Sequence, residues 1–350
     1  MARALQLFWL CLFSLPCFAL QKLIIEPEMG RAPLLGSILA AKSSVELAIY
    51  GFTDEEFVTA LIQAQHQHKS VRVLLQHYPY QTTHENEVTI ARLQAASVPL
   101  AYPGDNFTLL HQKTLIRDQQ TATVMTFNLT HSAFKNERNF ALQLDDPEDV
   151  AEIQHVFISD WAHQPVQVHA ADLIWSPDNS REKLLTLIHG ARHSINIYAE
   201  GLNDYAIVGA LAQAARHGVE VNILMSHYAD QQGRQKAGGK KFVYLAKNNV
   251  TVRYSKHLVI HAKVMIIDDN TAVIGSINFT KQSLDSNREL SVITHDPNII
   301  HSLDNTFSAD WNGASQDAVV VKSSKRPVYA AESRELKLLW RLLRKYANAS

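Results

Sequence analysis

Two copies of one short pattern, H-x-K-x-x-x-x-D, constrain this chain more than any other feature. The first copy occupies residues 111–118, and the second occupies residues 261–268, 150 positions later. Seventeen residues after its histidine, each copy is followed by an asparagine, Asn128 or Asn278. An imidazole can attack phosphorus or move a proton, while ammonium and amide groups bind phosphoryl oxygens. The two copies therefore predict the two halves of one phosphate-handling site.

The offset of 150 holds across most of the chain, which indicates a duplicated domain. The matching positions include Ser44 and Ser194, Asp54 and Asp204, Val71 and Val221, His77 and His227, Phe157 and Phe307, and Trp161 and Trp311. So long a period describes a whole domain rather than one supersecondary unit. We expect a first domain over residues 20–165, a linker over 166–183 and a second domain over 184–315.

Length and composition agree with two globular domains. The chain has 350 residues, of which 46% are hydrophobic and 19% are charged, and this composition is ordinary for a globular protein. Each half is long enough to bury a core of its own. The formal net charge of −1 gives no global electrostatic case for binding nucleic acid.

Residues 1–19 have the pattern of an export signal. Arg3 supplies a positive charge, and an apolar run follows from Leu5 to Phe18. This run is shorter than the ~20 residues that a membrane-spanning helix needs, and an uncleaved anchor is the second interpretation. Both cysteines lie inside this segment, so a mature chain would have neither a disulfide nor a cysteine nucleophile. We expect an exported bacterial protein, periplasmic or secreted.

Strands and helices alternate in each repeat. Val45–Phe52 and Val71–Leu75 are rich in strand-forming residues, and apolar positions at helical spacing after Asp54 predict a helix between them. The second repeat has the same order, with a strand at Ile195–Tyr198, a helix near 204–217 and a strand at Val219–Met225. This order predicts a parallel pair with a crossover helix. The fold class is α/β, with a mixed β-sheet flanked by helices in each repeat.

The motif residues are predicted to lie at one end of each sheet. Histidine and lysine are two positions apart, so on a strand their side chains point to the same side. An apolar run, 122–127 in the first repeat and 271–274 in the second, leads to the asparagine at the following turn. Imidazole, ammonium and amide should therefore meet.

These residues resemble the phospholipase D superfamily, which is defined by duplicated or dimerised H-x-K-x-x-x-x-D motifs. The resemblance covers residues 34–315 and is closer in the second repeat, where Gly275-Ser276 stands against Met125-Thr126 in the first. It implies two tandem domains related by a pseudo-twofold axis, with one shared active site. The implied catalytic residues are His111, Lys113, Asp118, Asn128 and Glu137 in the first repeat and His261, Lys263, Asp268, Ser276, Asn278 and Glu289 in the second.

The resemblance also implies a reaction in two steps. One histidine becomes a phosphohistidine, while the other protonates the leaving alcohol and then activates water. We assign His111 as the nucleophile and His261 as the acid. The remaining roles are phosphate binding by Lys113, Asn128, Lys263 and Asn278, acceptance of the histidine Nδ1 protons by Glu137 and Glu289, and orientation of neighbouring groups by Asp118 and Asp268. No cofactor and no metal ion is expected.

The choice of substrate depends on two segments outside the motifs. A basic amphipathic stretch, Glu332–Tyr346, could lie on an anionic membrane surface or dock on the protein's own core. A loop over residues 231–248 carries Arg234, Lys236, Lys240, Lys241 and Lys247 and could meet a polyanion. We favour a phospholipase D that hydrolyses phosphatidyl alcohols at a membrane surface.

Three other functions stay open. They are a periplasmic or secreted metal-independent nuclease of the same superfamily, a phosphatidyltransferase, and a non-catalytic module that binds phosphate or lipid. Nucleic acid is thus an alternative substrate. Because the chain carries both motifs, a monomer suffices to assemble the site.

Overall fold

A computed structural model describes residues 20–79, 84–226 and 240–315 of the chain. The expected export signal (1–19), most of the basic loop (231–239) and the basic C-terminal tail (316–350) lie outside these residues. Among the helices of the described part, none is both long enough and apolar enough to cross a bilayer.

The first repeat forms one mixed sheet with helices on its faces. Its strands are β1 Lys22–Glu26, β2 Ser44–Ile49, β3 Ser70–Leu75, β4 Leu100–Ala101, β5 Thr114–Arg117, β6 Thr121–Met125 and β7 Glu137–Leu144. Its helices are α1 Ala32–Leu39, α2 Glu55–His66, α3 Glu87–Ala95 and α4 Pro147–Trp161. The order across the sheet is β1-β7-β6-β5-β2-β3-β4.

The second repeat has the same architecture. Its strands are β8 Leu173–Ser176, β9 Ser194–Ala199, β10 Glu220–Ser226, β11 Val250–Ser255, β12 Val259–Ile260, β13 Lys263–Ile267, β14 Thr271–Gly275 and β15 Glu289–Thr294. Its helices are α5 Ser180–Gly190, α6 Tyr205–Arg216, α7 Lys240–Lys247, α8 Lys281–Asp285 and α9 Pro297–Gly313. The order β8-β15-β14-β13-β9-β10-β11 repeats that of the first sheet strand for strand.

The predicted parallel pairs are present in both repeats. Strands β2 and β3 are parallel and are joined through α2, and β9 and β10 are parallel and are joined through α6. Asp54 and Asp204 cap these two helices, because their carboxylates accept hydrogen bonds from the first free backbone amides. The expected α/β fold with two related repeats is confirmed.

Each sheet buries one face against its own helices and the other against the opposite repeat. In β2, Val45, Leu47 and Ile49 pack in the core of the first repeat, whereas Ala48 belongs to a central core. This alternation follows from the two-residue period of a strand. The central core contains residues of both sheets together with α4 and α9, so the two repeats share it.

The linker predicted over residues 166–183 is shorter in the structure. Strand β8 within that range pairs antiparallel with β15 at the edge of the second sheet, and α5 begins at Ser180. Strand β8 and helix α5 take the positions that β1 and α1 take in the first repeat. Short strands such as β8 give little periodicity to recognise, which is why the sequence pattern did not reveal it.

Gly275 provides a test of how closely β14 and β15 pack. A Cβ atom at this position would lie 2.3 Å from the carbonyl oxygen of Leu290 and 2.4 Å from Cα of Ser291. Both atoms belong to the backbone and cannot turn aside. We expect Gly275→Ala to lower the free energy of unfolding by about 3 kcal/mol, measured by chemical denaturation.

Gly36 is the matched control, because a Cβ there would meet nothing within 4 Å and the residue lies inside helix α1. Gly36→Ala should raise the free energy of unfolding by roughly 0.5–1 kcal/mol. Equal effects of the two substitutions would contradict the close approach of β14 and β15.

Candidate active site

The backbone of the opposite repeat holds each motif histidine. The amides of His111 and of the next residue both donate hydrogen bonds to the carbonyl of Arg288, at 2.9 Å each. The amides of His261 and of the next residue donate to the carbonyl of Arg138, at 3.3 and 3.0 Å. Each histidine thus lies just before its strand, β5 or β13, rather than on it as predicted, and the two motifs meet at the interface.

Buried ion pairs anchor the two arginines across the same interface. Arg138 Nε lies 2.7 Å from Oδ2 of Asp310 on α9, and Arg288 Nε lies 3.0 Å from Oδ2 of Asp160 on α4. Both arginine side chains are only 4% exposed. Each arginine also pairs with a carboxylate of its own repeat. The pairs with Asp310 and Asp160 are the ones that join the repeats, and they favour a single arrangement because charges at such depth need partners.

His111 is bound to a buried carboxylate of the second repeat. Its Nδ1 lies 2.8 Å from Oε2 of Glu289, whose other oxygen accepts hydrogen bonds from Ser283 Oγ and Asn287 Nδ2. Burial lowers the pKa of His111, and Glu289 opposes that shift. Although burial alone would raise it, the pKa of Glu289 is lowered by His111 and its other partners, so it stays ionised. The imidazole is therefore held with Nδ1 as donor and Nε2 available.

His261 faces an amide rather than a carboxylate. Its Nδ1 lies 3.2 Å from Oδ1 of Asn139 and 3.7 Å from Oε2 of Glu137. Thr126 Oγ1 accepts from the amide of Phe140 and therefore donates to Asn139 Oδ1, at 3.0 Å. This amide oxygen must also accept from His261, so Nδ1 carries a proton.

The carboxylate and amide side chains near the two histidines stand in opposite sequence order in the two repeats. The offset of 150 places Asn139 opposite Glu289 and Glu137 opposite Asn287, and Asn139 Nδ2 donates to Glu137 Oε2 at 3.0 Å. The sequence prediction treated Glu137 and Glu289 as equivalent, although this pairing departs by two positions from the offset of 150. Glu289 makes the predicted contact with His111, whereas Glu137 lies farther from His261 Nδ1 than Asn139 does. Strict use of the register would have revealed Asn139.

Two buried lysines complete the pair of half-sites. Lys113 Nζ donates to the carbonyl of His111 and lies 5.3 Å from the centre of the Tyr50 ring. Burial, together with the charge of Lys263, lowers the pKa of Lys113 to about 7. Lys263 Nζ donates to the carbonyls of His261 and Thr126, so it too points into the interface.

The two asparagines lie against glycines. Asn128 Oδ1 accepts a hydrogen bond from the amide of Gly51 at 3.1 Å, and a Cβ at Gly51 would lie 3.1 Å from Asn128 Cγ. A Cβ at Gly201 would lie 3.2 Å from Asn278 Oδ1. The missing side chains allow both amides to approach the backbone that follows β2 and β9.

Glu200 is a site residue that the sequence prediction missed. Its carboxylate lies 2.6 Å from Lys263 Nζ and 3.1 Å from Asn278 Nδ2 through Oε2, and 3.5 Å from His261 Nε2 through Oε1. Although burial alone would raise it, the charges of His261 and Lys263 hold the pKa of Glu200 well below its usual range. No motif marks this position, and the first repeat has Tyr50 there.

The two motif aspartates lie away from the histidines. Asp118 accepts from the backbone amides of residues 42–44, and Asp268 accepts from those of residues 192–194. Asp118 lies five positions beyond Lys113 along an extended strand, a rise of roughly 16 Å. The structure therefore does not bring either aspartate into the catalytic group in which the sequence placed it. Both fix the turn before a central strand, β2 or β9.

The hydroxyl of Ser276 is also buried and hydrogen-bonded to the backbone. Its Oγ accepts from the amide of Leu290 at 3.2 Å, as Thr126 Oγ1 does from the amide of Phe140 in the first repeat. The two hydroxyls thus accept from equivalent amides, but Thr126 donates to Asn139 Oδ1, whereas Ser276 donates to the carbonyl of Leu290. Within residues 20–79, 84–226 and 240–315, no group of three His, Cys, Asp or Glu side chains could hold a metal ion.

The arrangement suits attack on a phosphodiester. Two imidazoles held by the opposite repeat and two buried ammonium groups lie at one interface, and the amide of Asn278 lies in the second set. Imidazole supplies a nucleophile on one side and a proton on the other, while the cations stabilise charge that accumulates on phosphoryl oxygens.

A family model and several curated relatives match this chain in sequence. The family model described as "Cardiolipin synthase, PLD-like domain" matches residues 34–161 and again residues 184–311. Cardiolipin synthase B of Escherichia coli O6:H1 is 32% identical over 126 residues, which are 36% of this chain and 30% of that protein. The major cardiolipin synthase ClsA of Bacillus subtilis is 26% identical over 318 residues, 79% of this chain and 66% of that protein. The chain thus spans from about a third to two thirds of these relatives.

Two solved structures share the fold over 93% of the chain. Phosphatidylserine synthase of Haemophilus influenzae Rd KW20 superposes with a TM-score of 0.66 at 11% identity, over 92% of its own length. Polyphosphate kinase of Porphyromonas gingivalis gives a TM-score of 0.66 at 15% identity, over 55% of its length. At these identities the likeness concerns the fold alone.

The buried lysine predicts the pH dependence of activity. We expect kcat/KM to rise as His111 loses its proton, below pH 6.5, and to fall above about pH 7 as Lys113 becomes neutral. Lys113→Arg should move the falling limb up by at least about two pH units, because a guanidinium stays charged. Initial rates from pH 4 to 10 on a p-nitrophenyl phosphodiester, whose leaving group needs no proton from His261, measure both limbs. Lys42→Arg, at an exposed lysine, is the control. If the falling limb does not move in Lys113→Arg, that limb reports the titration of another group.

Proposed function

The chain belongs to the phospholipase D superfamily, and we propose that it cleaves the phosphodiester bond of a phospholipid through a phosphohistidine on His111. The observation that carries the proposal is that two histidine–lysine sets meet across one interface, with both lysines buried and His111 held by Glu289. The cardiolipin synthases among its relatives favour a phospholipid as the substrate.

In the first step, Nε2 of His111 attacks phosphorus. A P–N bond forms, the P–O bond to the head-group alcohol breaks, and Nε2 of His261 gives its proton to the leaving oxygen. Glu289 suits His111 to this role, because a carboxylate on Nδ1 stabilises the positive charge that the imidazole gains during attack. Burial lowers the pKa of His261 to about 4, so the anionic substrate must raise that pKa before His261 can act as an acid.

In the second step, an acceptor oxygen attacks phosphorus and the P–N bond breaks. His261, now neutral, takes the proton of the acceptor, and His111 returns as a neutral imidazole. Water as acceptor gives phosphatidic acid, which is the hydrolysis expected from the sequence. An alcohol as acceptor gives a new phosphatidyl alcohol. Because the curated relatives are cardiolipin synthases, we extend the proposal to include this transfer.

The setting of the reaction is also a proposal. The charged and apolar pattern of residues 1–19 supports export of the chain, and the basic stretch within 316–350 supports contact with an anionic membrane surface. Because one chain carries both half-sites, we propose that a monomer is active.

A stack of aromatic rings favours a nuclease as the second candidate. The ring of His77 lies between those of Tyr78 and Tyr102, with centroid separations of 4.0 and 4.4 Å. His77 follows β3, beside the end of β2 that leads to Tyr50. Tyr78 is 55% exposed, and such a ring could stack on a nucleic-acid base.

Substitution of the histidines tests the two roles. With a p-nitrophenyl phosphodiester, whose leaving group needs no acid, His261→Asn should release about one equivalent of nitrophenolate per protein and then stall. His111→Asn should release none and should lose roughly 10³-fold or more of the steady-state rate. Stopped-flow absorbance measures the burst, and acid-labile phosphate on the protein identifies the intermediate.

His155→Asn is the control for these two variants, because His155 is exposed on α4, and it should behave as the parent protein does. Repeated turnover by His111→Asn would exclude His111 as the nucleophile.

A competition assay distinguishes lipid from nucleic acid. We expect vesicles of phosphatidylglycerol and phosphatidylethanolamine to give phosphatidic acid in the presence of EDTA, and to give phosphatidylethanol as well when ethanol is added. A labelled single-stranded oligonucleotide in the same tube should stay intact. Product analysis by mass spectrometry measures each outcome, and His111→Asn gives the background. Cleavage of the oligonucleotide alone would replace the phospholipid by the nuclease candidate.

A further inference from the structure

Glu200 occupies the place where the second half-site would bind phosphoryl oxygens. Its Oε2 takes hydrogen bonds from the ammonium of Lys263 and the amide of Asn278, and its Oε1 lies beside Nε2 of His261. Lys263 and Asn278 are the donors that the family resemblance assigns to phosphate binding. A carboxylate and a phosphodiester both present two oxygens that share one negative charge, so one can stand in for the other.

Among the residues that the structure describes, no carboxylate takes the equivalent place in the first half-site. The position equivalent to Glu200 is Tyr50, whose ring meets that of His111 edge to face at a centroid distance of 5.0 Å. Lys113 lies against this ring and donates to one backbone carbonyl. The charge of Lys113 therefore faces the interface with no carboxylate contact of the kind that Lys263 makes, as far as the described residues show.

The donors of Lys263 are fully used while Glu200 is in place. An ammonium has three hydrogens, and the carbonyls of His261 and Thr126 take two of them. Glu200 takes the third. A phosphoryl oxygen can reach Lys263 only after the carboxylate moves aside. The Glu200 side chain is 26% exposed, which leaves it a route toward solvent.

We infer that Glu200 is a specificity-determining residue that makes the site prefer monoanionic phosphodiesters to dianionic phosphomonoesters. This inference rests on the proposed phosphodiester chemistry of the same site. A diester exchanges one negative charge for another at Lys263, so the local charge balance is kept. A monoester brings a second negative charge close to the displaced carboxylate, and the two repel one another in a poorly solvated space.

The preference has a consequence for turnover by hydrolysis. The substrate is a diester, whereas phosphatidic acid is a monoester that carries up to two charges near neutral pH. Glu200 therefore favours release of the product and entry of the next substrate. The same carboxylate lowers the affinity of the site for free phosphate and for other phosphomonoesters.

Direct binding tests the inference without relying on turnover. The probes are dimethyl phosphate and methyl phosphate at pH 7, titrated into the full chain by calorimetry. We expect the parent protein to bind the diester more tightly than the monoester. Glu200→Gln should bind both more tightly and should shift the ratio of the two dissociation constants by about tenfold toward the monoester. Glu200→Ala should shift the ratio in the same direction, which guards against a local misfolding of one variant.

Glu182→Gln is the matched control, because it removes the same charge from an exposed position on α5 of the same repeat. It lies outside the site and is surrounded by solvent, so the ratio should change by no more than about twofold. An unchanged ratio in both folded Glu200 variants overturns the inference, and so does the lack of measurable phosphate binding in all of them. If the ratio shifts but no phospholipid is cleaved, the inference stands for this anion site and the proposed substrate is wrong.

Discussion

The active site depends on two arginines, each of which contacts the opposite repeat through both its backbone carbonyl and its side chain. The carbonyls of Arg138 and Arg288 hold the histidine loops of the opposite repeat, while their guanidinium groups form buried ion pairs with Asp310 and Asp160. Separation of the repeats would break both of these pairs and leave each guanidinium with only the carboxylate of its own repeat, which costs stability because the sites are buried. The same residues therefore fix the relation of the two repeats and the separation of the two histidines. The contacts that join the repeats are thus the contacts that assemble the site.

The symmetry of the fold contrasts with the asymmetry of the site. Strand order and the histidine–lysine contacts repeat with an offset of 150, but the groups around them do not. Glu289 faces His111 where Asn139 faces His261, and Tyr50 stands where the second repeat has Glu200. A nucleophile needs a partner that stabilises its positive charge, whereas an acid must release a proton. Unequal neighbours on a symmetric scaffold allow two identical side chains to take these two roles.

Much of the fold followed from patterns that act locally. The strand and helix order came from apolar spacing, and the aspartates before α2 and α6 marked the helix starts, because capping involves only neighbouring residues. Errors arose where function depends on distant contacts. Asp118 and Asp268 share the motif with the histidines, yet the length of an extended strand separates them from the site. Asn139 and Glu200 lie outside any motif, and only the packing of two sheets brings them to His261.

The sequence by itself determined that the chain is duplicated and that each half is an α/β unit, and it predicted that histidine, lysine and asparagine lie together at the end of each sheet. These features depend on residue type and on the period of strands and helices, which are local properties. Only the tertiary structure decided which carboxylate serves which histidine. It also showed that Glu289 crosses from the second repeat to His111, and that Glu200 binds the side chains of Lys263 and Asn278. Such pairings depend on distances of a few Å between residues far apart in the chain, and electrostatic contacts change steeply over that range.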